Sequence, residues 1–200
     1  MRSMRILACG MIMLTAFLAG CGTKVQRIDV EETRDLSGRW NDTDSRLVAE
    51  AMIEDCLSRP WLPEFRGRSG KKPDIIVGQV VNRSSEHINT RTFVKDLERS
   101  LINSGRASFV ASAAEREGVR EERLDMDINA SAQSRKAPGM EAGADFMLIG
   151  SINSIVDRQG SERVVFYQVN LELIDMVNNR KVWIGDKKIK KHVKRARYGL

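Results

Sequence analysis

Histidine is almost missing from this chain: only His87 and His192 occur, far apart in sequence. Neither has a cysteine, histidine or carboxylate at metal-ligand spacing, so the sequence offers no zinc site. Cysteine is also scarce, with Cys9, Cys21 and Cys56 making the whole set. There is no phosphate-cradling glycine loop, no dinucleotide fingerprint and no nucleophile elbow. Beyond the first twenty residues no apolar run is long enough to cross a bilayer, which takes roughly 20 residues. These absences exclude the common catalytic chemistries, and the chain reads as a non-enzyme with no cofactor. Its carboxylates have a simpler explanation. Glu115, Glu117, Glu121, Glu122, Asp125 and Asp127 alternate with Arg116, Arg120 and Arg123, and opposite charges four apart describe a solvated helix face.

What is present begins at the N-terminus. Arg2 and Arg5 precede an apolar stretch that runs from Ile6 to Leu18-Ala19-Gly20-Cys21. A charged start followed by an apolar segment of this length has signal-peptide form and is too short for a comfortable bilayer span. Small residues leading straight into a cysteine resemble the lipobox of bacterial lipoproteins. That resemblance implies that residues 1–20 are removed, that Cys21 is lipidated, and that Cys21 becomes the new N-terminus. Two acyl chains on one residue meet the requirement for stable anchoring. Removal of Arg2 and Arg5 lowers the formal charge from +6 to about +4. That modest excess and the export signal argue against nucleic acid as a partner. Cys56 is then the lone cysteine, so no internal disulfide is expected, and it reads as a small buried residue on a helix.

Residues 21–41 read as a lipidated N-terminus and short tether, polar and without apolar periodicity. A flexible chain of that length reaches about 25 Å on average and about 70 Å when extended. Asp42 is the expected N-cap of a first helix over residues 42–57, with Leu47, Val48, Ala51, Met52 and Cys56 at helical spacing. Pro60 and Pro63 are expected to end it, and residues 67–73 form a basic loop. Residues 74–81 contain Ile75, Ile76, Val77, Val80 and Val81, a nearly continuous run that predicts a central strand covered on both faces. A loop over residues 82–89 leads to a helix over 90–104 with Gly105 at its C′ position. A short strand over 107–110 precedes a capping box at Ser112 and Glu115. Residues 117–137 suggest a helix, a break and a second helix that Gly143 terminates. Strands follow over 145–155, 164–176 and 181–189, the second alternating Val165, Tyr167, Val169, Leu171 and Leu173 on one face with Gln168, Asn170 and Glu172 opposite. A hairpin loop is expected at 157–162 and a tight turn at Asn178-Asn179, since Asn tolerates positive φ. The expected fold is a single α/β layered domain over residues 42–200, with a central sheet, packed helices and a C-terminal antiparallel meander.

Two surface features stand out. The tail carries Lys187, Lys188, Lys190, Lys191, Lys194, Arg195 and Arg197. Lysines on an edge strand keep it from pairing with another edge, and the same charges suit an anionic surface. Asn82-Arg83-Ser84 follows the predicted central strand, where a loop serves either as a structural turn or as a recognition surface. Asn82, Arg83, Ser84, Lys188, Lys190 and Lys191 are therefore the candidate partner contacts.

The order of these segments resembles a known family. The lipobox is followed by Val80-Val81-Asn82-Arg83-Ser84, then Ile88-Asn89-Thr90. Next come Ala142-Gly143-Ala144-Asp145-Phe146-Met147-Leu148-Ile149-Gly150 and the hairpin around Asp175 to Trp183. Together these look like the LpoB family, outer-membrane lipoproteins that activate penicillin-binding proteins. The resemblance implies an α/β domain similar to the N-terminal domain of TolB. It further implies an outer-membrane lipid anchor facing the periplasm, passage through peptidoglycan with contact to it, and docking on a bifunctional penicillin-binding protein. Gly22, rather than Asp, follows Cys21, in keeping with outer-membrane sorting in lipoproteins. An alternative class, an assembly or secretion lipoprotein acting as an adaptor, shares these features and predicts stable homo-oligomers.

Overall fold

The computed structural model describes residues 25–136, 139 and 141–194. Cys9, Cys21, Arg195 and Arg197 lie outside the described residues. Contacts divide the chain at Thr33, with a folded unit beginning at Arg34. From Val25 to Thr33 the chain has no helix or strand.

Helix α1 (Asp42–Ser58) starts at a reciprocal cap. The Asp44 amide donates to the Asn41 side chain at 2.9 Å, and the Asn41 amide donates to the Asp44 carboxylate at 3.0 Å. That box satisfies two first-turn donors at once, so the N-cap is Asn41, one residue before the expected Asp42. Val48, Ala49, Met52, Ile53, Cys56 and Leu57 form its buried stripe. Cys56 is 1% exposed, and burial pushes its thiol up to about 12; it is an unreactive core residue, as its position suggested.

Helix α1 ends at Ser58, directly before Pro60 as expected, but the prolines do not exclude further helix. A second helix, α2 (Trp61–Ser69), follows at once and takes up residues 67–69 of the expected loop. Pro60 stands at its N-cap and Pro63 is its third residue, where a missing amide removes no intrahelical bond. The Trp61 indole N–H donates to the Cys56 carbonyl at 2.7 Å, and its ring meets Phe146 edge-on at 5.0 Å between centroids.

The remaining elements are β1 (Asp74–Arg83), α3 (Thr90–Asn103), β2 (Ser108–Phe109), α4 (Ala113–Asn129), β3 (Phe146–Gln159), β4 (Glu162–Asp175) and β5 (Lys181–Lys194). They build one five-stranded sheet in the order β2-β1-β3-β4-β5. β1 runs parallel to both its neighbours, and β3, β4 and β5 form an antiparallel meander. The layered α/β domain with a C-terminal meander is therefore present. The Ser112–Glu115 capping box opens α4, and Gly105 takes a φ of 62° after α3. Asn179 is the one described non-glycine residue with positive φ, at 60°. It sits in the β4–β5 connection, where the Asp175 carboxylate accepts from the Val177 and Asn178 amides.

Three expectations need correction. β3, not β1, is the middle strand, and β1 alternates between buried and half-buried residues instead of being covered on both sides. Its apolar run looks continuous because a bulge between Val77 and Val80 shifts the alternation. Residues 113–129 form a single helix, and no second helix precedes Gly143 among the described residues. The β3–β4 hairpin turns within Gly160 and Ser161, so both strands run farther than expected.

Every buried side chain of the sheet lies on one face. Ile75, Val77, Val80, Phe146, Leu148, Ile152, Val165, Tyr167, Val169, Leu171, Leu173 and Trp183 meet the buried stripes of α1 and α3 there. The register places Met147, Ile149, Ser151, Asn153 and Ile155 of β3 on the other face. Opposite them on β4 are Ile174, Glu172, Asn170, Gln168 and Phe166. No residue of that second face is buried.

Candidate functional site

Register decides which of the candidate residues come together. Arg83 pairs with Asn153, Asn153 with Gln168, and Gln168 with Lys188. These four residues therefore form one row across the open face of β1, β3, β4 and β5. Next to it lies the row Val81, Ser151, Asn170 and Asp186, and on the other side Ile155, Phe166 and Lys190. Arg83, Lys188 and Lys190 are exposed on this face. Lys188 is 3.1 Å from Asp186. Arg83 and Lys190 have no ion-pair partner among the described residues.

Asn82 and Ser84 have a different setting. The Asn82 Nδ2 donates to the Glu86 carbonyl at 2.8 Å, while its Oδ1 accepts from the Ser84 amide at 2.9 Å and hydroxyl at 2.7 Å. These bonds close a self-satisfied turn after β1. Glu86 then ties that turn to the domain: its carboxylate accepts from Tyr167 at 2.7 Å and from the Trp40 amide at 3.2 Å. Burial and the Glu86 carboxylate push the Tyr167 hydroxyl upward, so it stays a donor.

Lys191 faces the packed side. Its ammonium lies 2.6 Å from both Asp35 and Asp44 and 3.2 Å from the Arg39 carbonyl, and its side chain is 10% exposed. Burial pulls its pKa down, but Asp35 and Asp44 more than offset this, leaving it raised. Around this pair the segment before α1 is pinned to the sheet. Trp40 meets Tyr167 and Phe93 edge-on at 5.6 and 6.1 Å, Arg163 donates to the Ser37 carbonyl, and Gly38 is buried against Val193. The folded domain thus includes residues that read in sequence as tether.

Sequence reasoning did not name the residues at the centre of the open face as a site. Ser151, Asn153, Gln168 and Asn170 are half-exposed. Asn153 Nδ2 donates to Ser151 Oγ at 3.1 Å, and Gln168 Nε2 donates to Asn170 Oδ1 at 2.9 Å. The visible signal was chemical: asparagine is depleted in strands, yet Asn153 and Asn170 each stand inside a long strand. Among the described residues no cluster of His, Cys, Asp and Glu could hold a metal ion. No described helix is long and apolar enough to cross a membrane.

The fold and the open polar face together define an α/β domain with one side packed and the other available for binding. The chain belongs to the LpoB family: the model of the peptidoglycan-synthase activator LpoB matches residues 44–189. Among solved structures, the LpoB C-terminal domain from Escherichia coli matches at 16% identity, covering 74% of this chain and 99% of that one, with a TM-score of 0.46. The Salmonella enterica domain matches at 15% identity over 74% and 99%, with a TM-score of 0.43. A lipoprotein from Neisseria meningitidis, GNA1162, matches at 16% over 63% and 88%, with a TM-score of 0.41. At these values the family assignment rests on the family model. No curated protein sequence matches the chain.

Proposed function

We propose that this protein is an outer-membrane lipoprotein that activates peptidoglycan synthesis by docking on a bifunctional penicillin-binding protein. The observation that carries the reading is the family match across 146 of the 200 residues, which spans α1 to β5. An activator of this kind works by binding the active state of its synthase better than the inactive state. Cys21 supplies the anchor. The domain begins at Arg34, so residues 22–33 are the tether, at most about 40 Å even when fully extended. Such a leash keeps the domain near the membrane that holds it, and the synthase must reach toward it.

Lys188 and Lys190, at the outer margin of the sheet, are the proposed contacts for an acidic surface of the synthase; Asn82, Ser84 and Lys191 serve the fold. Charges at such a margin act chiefly on association rate and salt dependence. The test is binding of the full chain to the bifunctional synthases of its own organism, together with their rate of glycan-chain polymerisation. Binding and a faster rate are expected, with affinity reduced and less salt-sensitive in Lys188→Gln/Lys190→Gln. If no synthase binds and no rate changes, the reading fails.

A further inference from the structure

We propose that the uncharged centre of the open sheet face binds an N-acetylated, carboxylate-bearing glycan strand. The argument starts from what each amide leaves unused. Asn153 Nδ2 and Gln168 Nε2 are engaged with Ser151 and Asn170. The second contact of Asn153 Nδ2, to the Gln168 carbonyl at 3.4 Å, is also made from the donor side. Asn153 Oδ1 and Gln168 Oε1 therefore remain as acceptors without a partner among the described residues. Asn170 Nδ2 and the Ser151 hydroxyl hydrogen remain as donors. Two donors and two acceptors, held by mutual bonds on paired strands, occupy a patch about 5 Å by 7 Å.

Sugar hydroxyls and acetamido groups each present a donor and an acceptor, and neutral carboxamides answer both without the desolvation cost of a charge. A protein-binding face would instead place apolar and aromatic side chains at its centre. Here the apolar residues are at the side: Phe166, half-buried and facing Ile155, offers a flat ring for the C–H face of a pyranose. Arg83, in the same row as Asn153 and about 5 Å from it across the ladder, brings an unpaired guanidinium that complements a carboxylate on the glycan. Asparagine lowers strand stability, so two asparagines on adjacent central strands need a reason outside the fold. The choice of an N-acetylated glycan rests on the synthase-activator reading; the site rests on the geometry.

The experiment titrates the full-length protein in detergent micelles with two probes. One is the N-acetylglucosamine hexamer, and the other is soluble, uncrosslinked glycan strands carrying peptide carboxylates. Both bind, the strands more tightly. Asn153→Thr/Asn170→Thr weakens both by about tenfold while Tm stays level or rises, because threonine suits a strand better. Arg83→Gln abolishes the preference for the strands and leaves the hexamer unchanged. Lys188→Gln/Lys190→Gln binds both probes as the parent does. The proposal is overturned if neither probe binds, if the double threonine variant keeps its affinity, or if that variant melts lower. No synthase is present, so failure here leaves the activator reading standing, and failure of synthase docking leaves this one standing.

Discussion

The two faces of the sheet are made by the same strands and differ in almost every other respect. One face buries Val165, Tyr167, Val169, Leu171 and Leu173 of β4 against helices. The alternate residues of the same strand, Phe166, Gln168, Asn170 and Glu172, remain half-exposed. Strand alternation lets a single segment hold the fold together on one side while leaving the other side's composition free. Stability is concentrated where water is excluded, and recognition is available where it is not.

Substitution on the packed face should give the largest effect. Phe93, fully buried beneath Trp40, anchors α3 to the core; Phe93→Ala should lower unfolding free energy by about 4 kcal/mol in a denaturant titration. Gln168→Thr on the open face should stay within about 0.5 kcal/mol of the parent. Comparable losses at both positions would break the contrast between the faces.

The buried ion pair comes next. Lys191→Ala leaves the Asp35 and Asp44 carboxylates without their cation and should cost about 3 kcal/mol. The folded Lys191 pKa is raised, so its contribution is complete below the ordinary lysine range and lost as pH rises through the folded value. Thermal melts of the parent should therefore decline in alkali more steeply than those of Lys191→Ala. A parallel decline would remove Lys191 from the packed side of the comparison.

The smallest effect belongs to α4, which has no buried residue. Lys95, then the Ser112 amide and hydroxyl, hold the Glu115 carboxyl down to about 2. A depressed carboxylate stabilises above its unfolded pKa, near 4.3, and the contribution is lost as pH falls through that value toward 2. Amide exchange in the first turn of α4 should quicken over that window before the sheet opens. Unchanged exchange would show that the cap does not control the helix end.

Much of this was legible in the chain. Alternation along residues 164–173 located β4 and both of its faces, because period-2 patterning is a local property. The Ser112–Glu115 box and the positive φ of Asn179 were readable for the same reason. The second helix after Pro60 was hidden because proline was taken as a terminator, whereas a first-turn proline is compatible with a helix. β1 looked central because a bulge disguised its alternation. The site was only half visible: Gln168 and Asn170 stood out as polar positions, but nothing nearby in sequence connected them to Asn153 or Arg83.

The amino-acid sequence by itself determined the alternating faces of β4, the Ser112–Glu115 helix cap and the shortage of catalytic groups, since each depends on neighbours a few residues away. Tertiary structure alone decided which cations face outward. Lys188, Lys190 and Lys191 look alike in sequence, yet pairing across β4 turns two of them outward and buries the third between Asp35 and Asp44. Strand register also brought Arg83, Asn153, Gln168 and Lys188 into one row. Register is set by contacts between distant segments, and a shift of one residue would send each of these side chains to the opposite face.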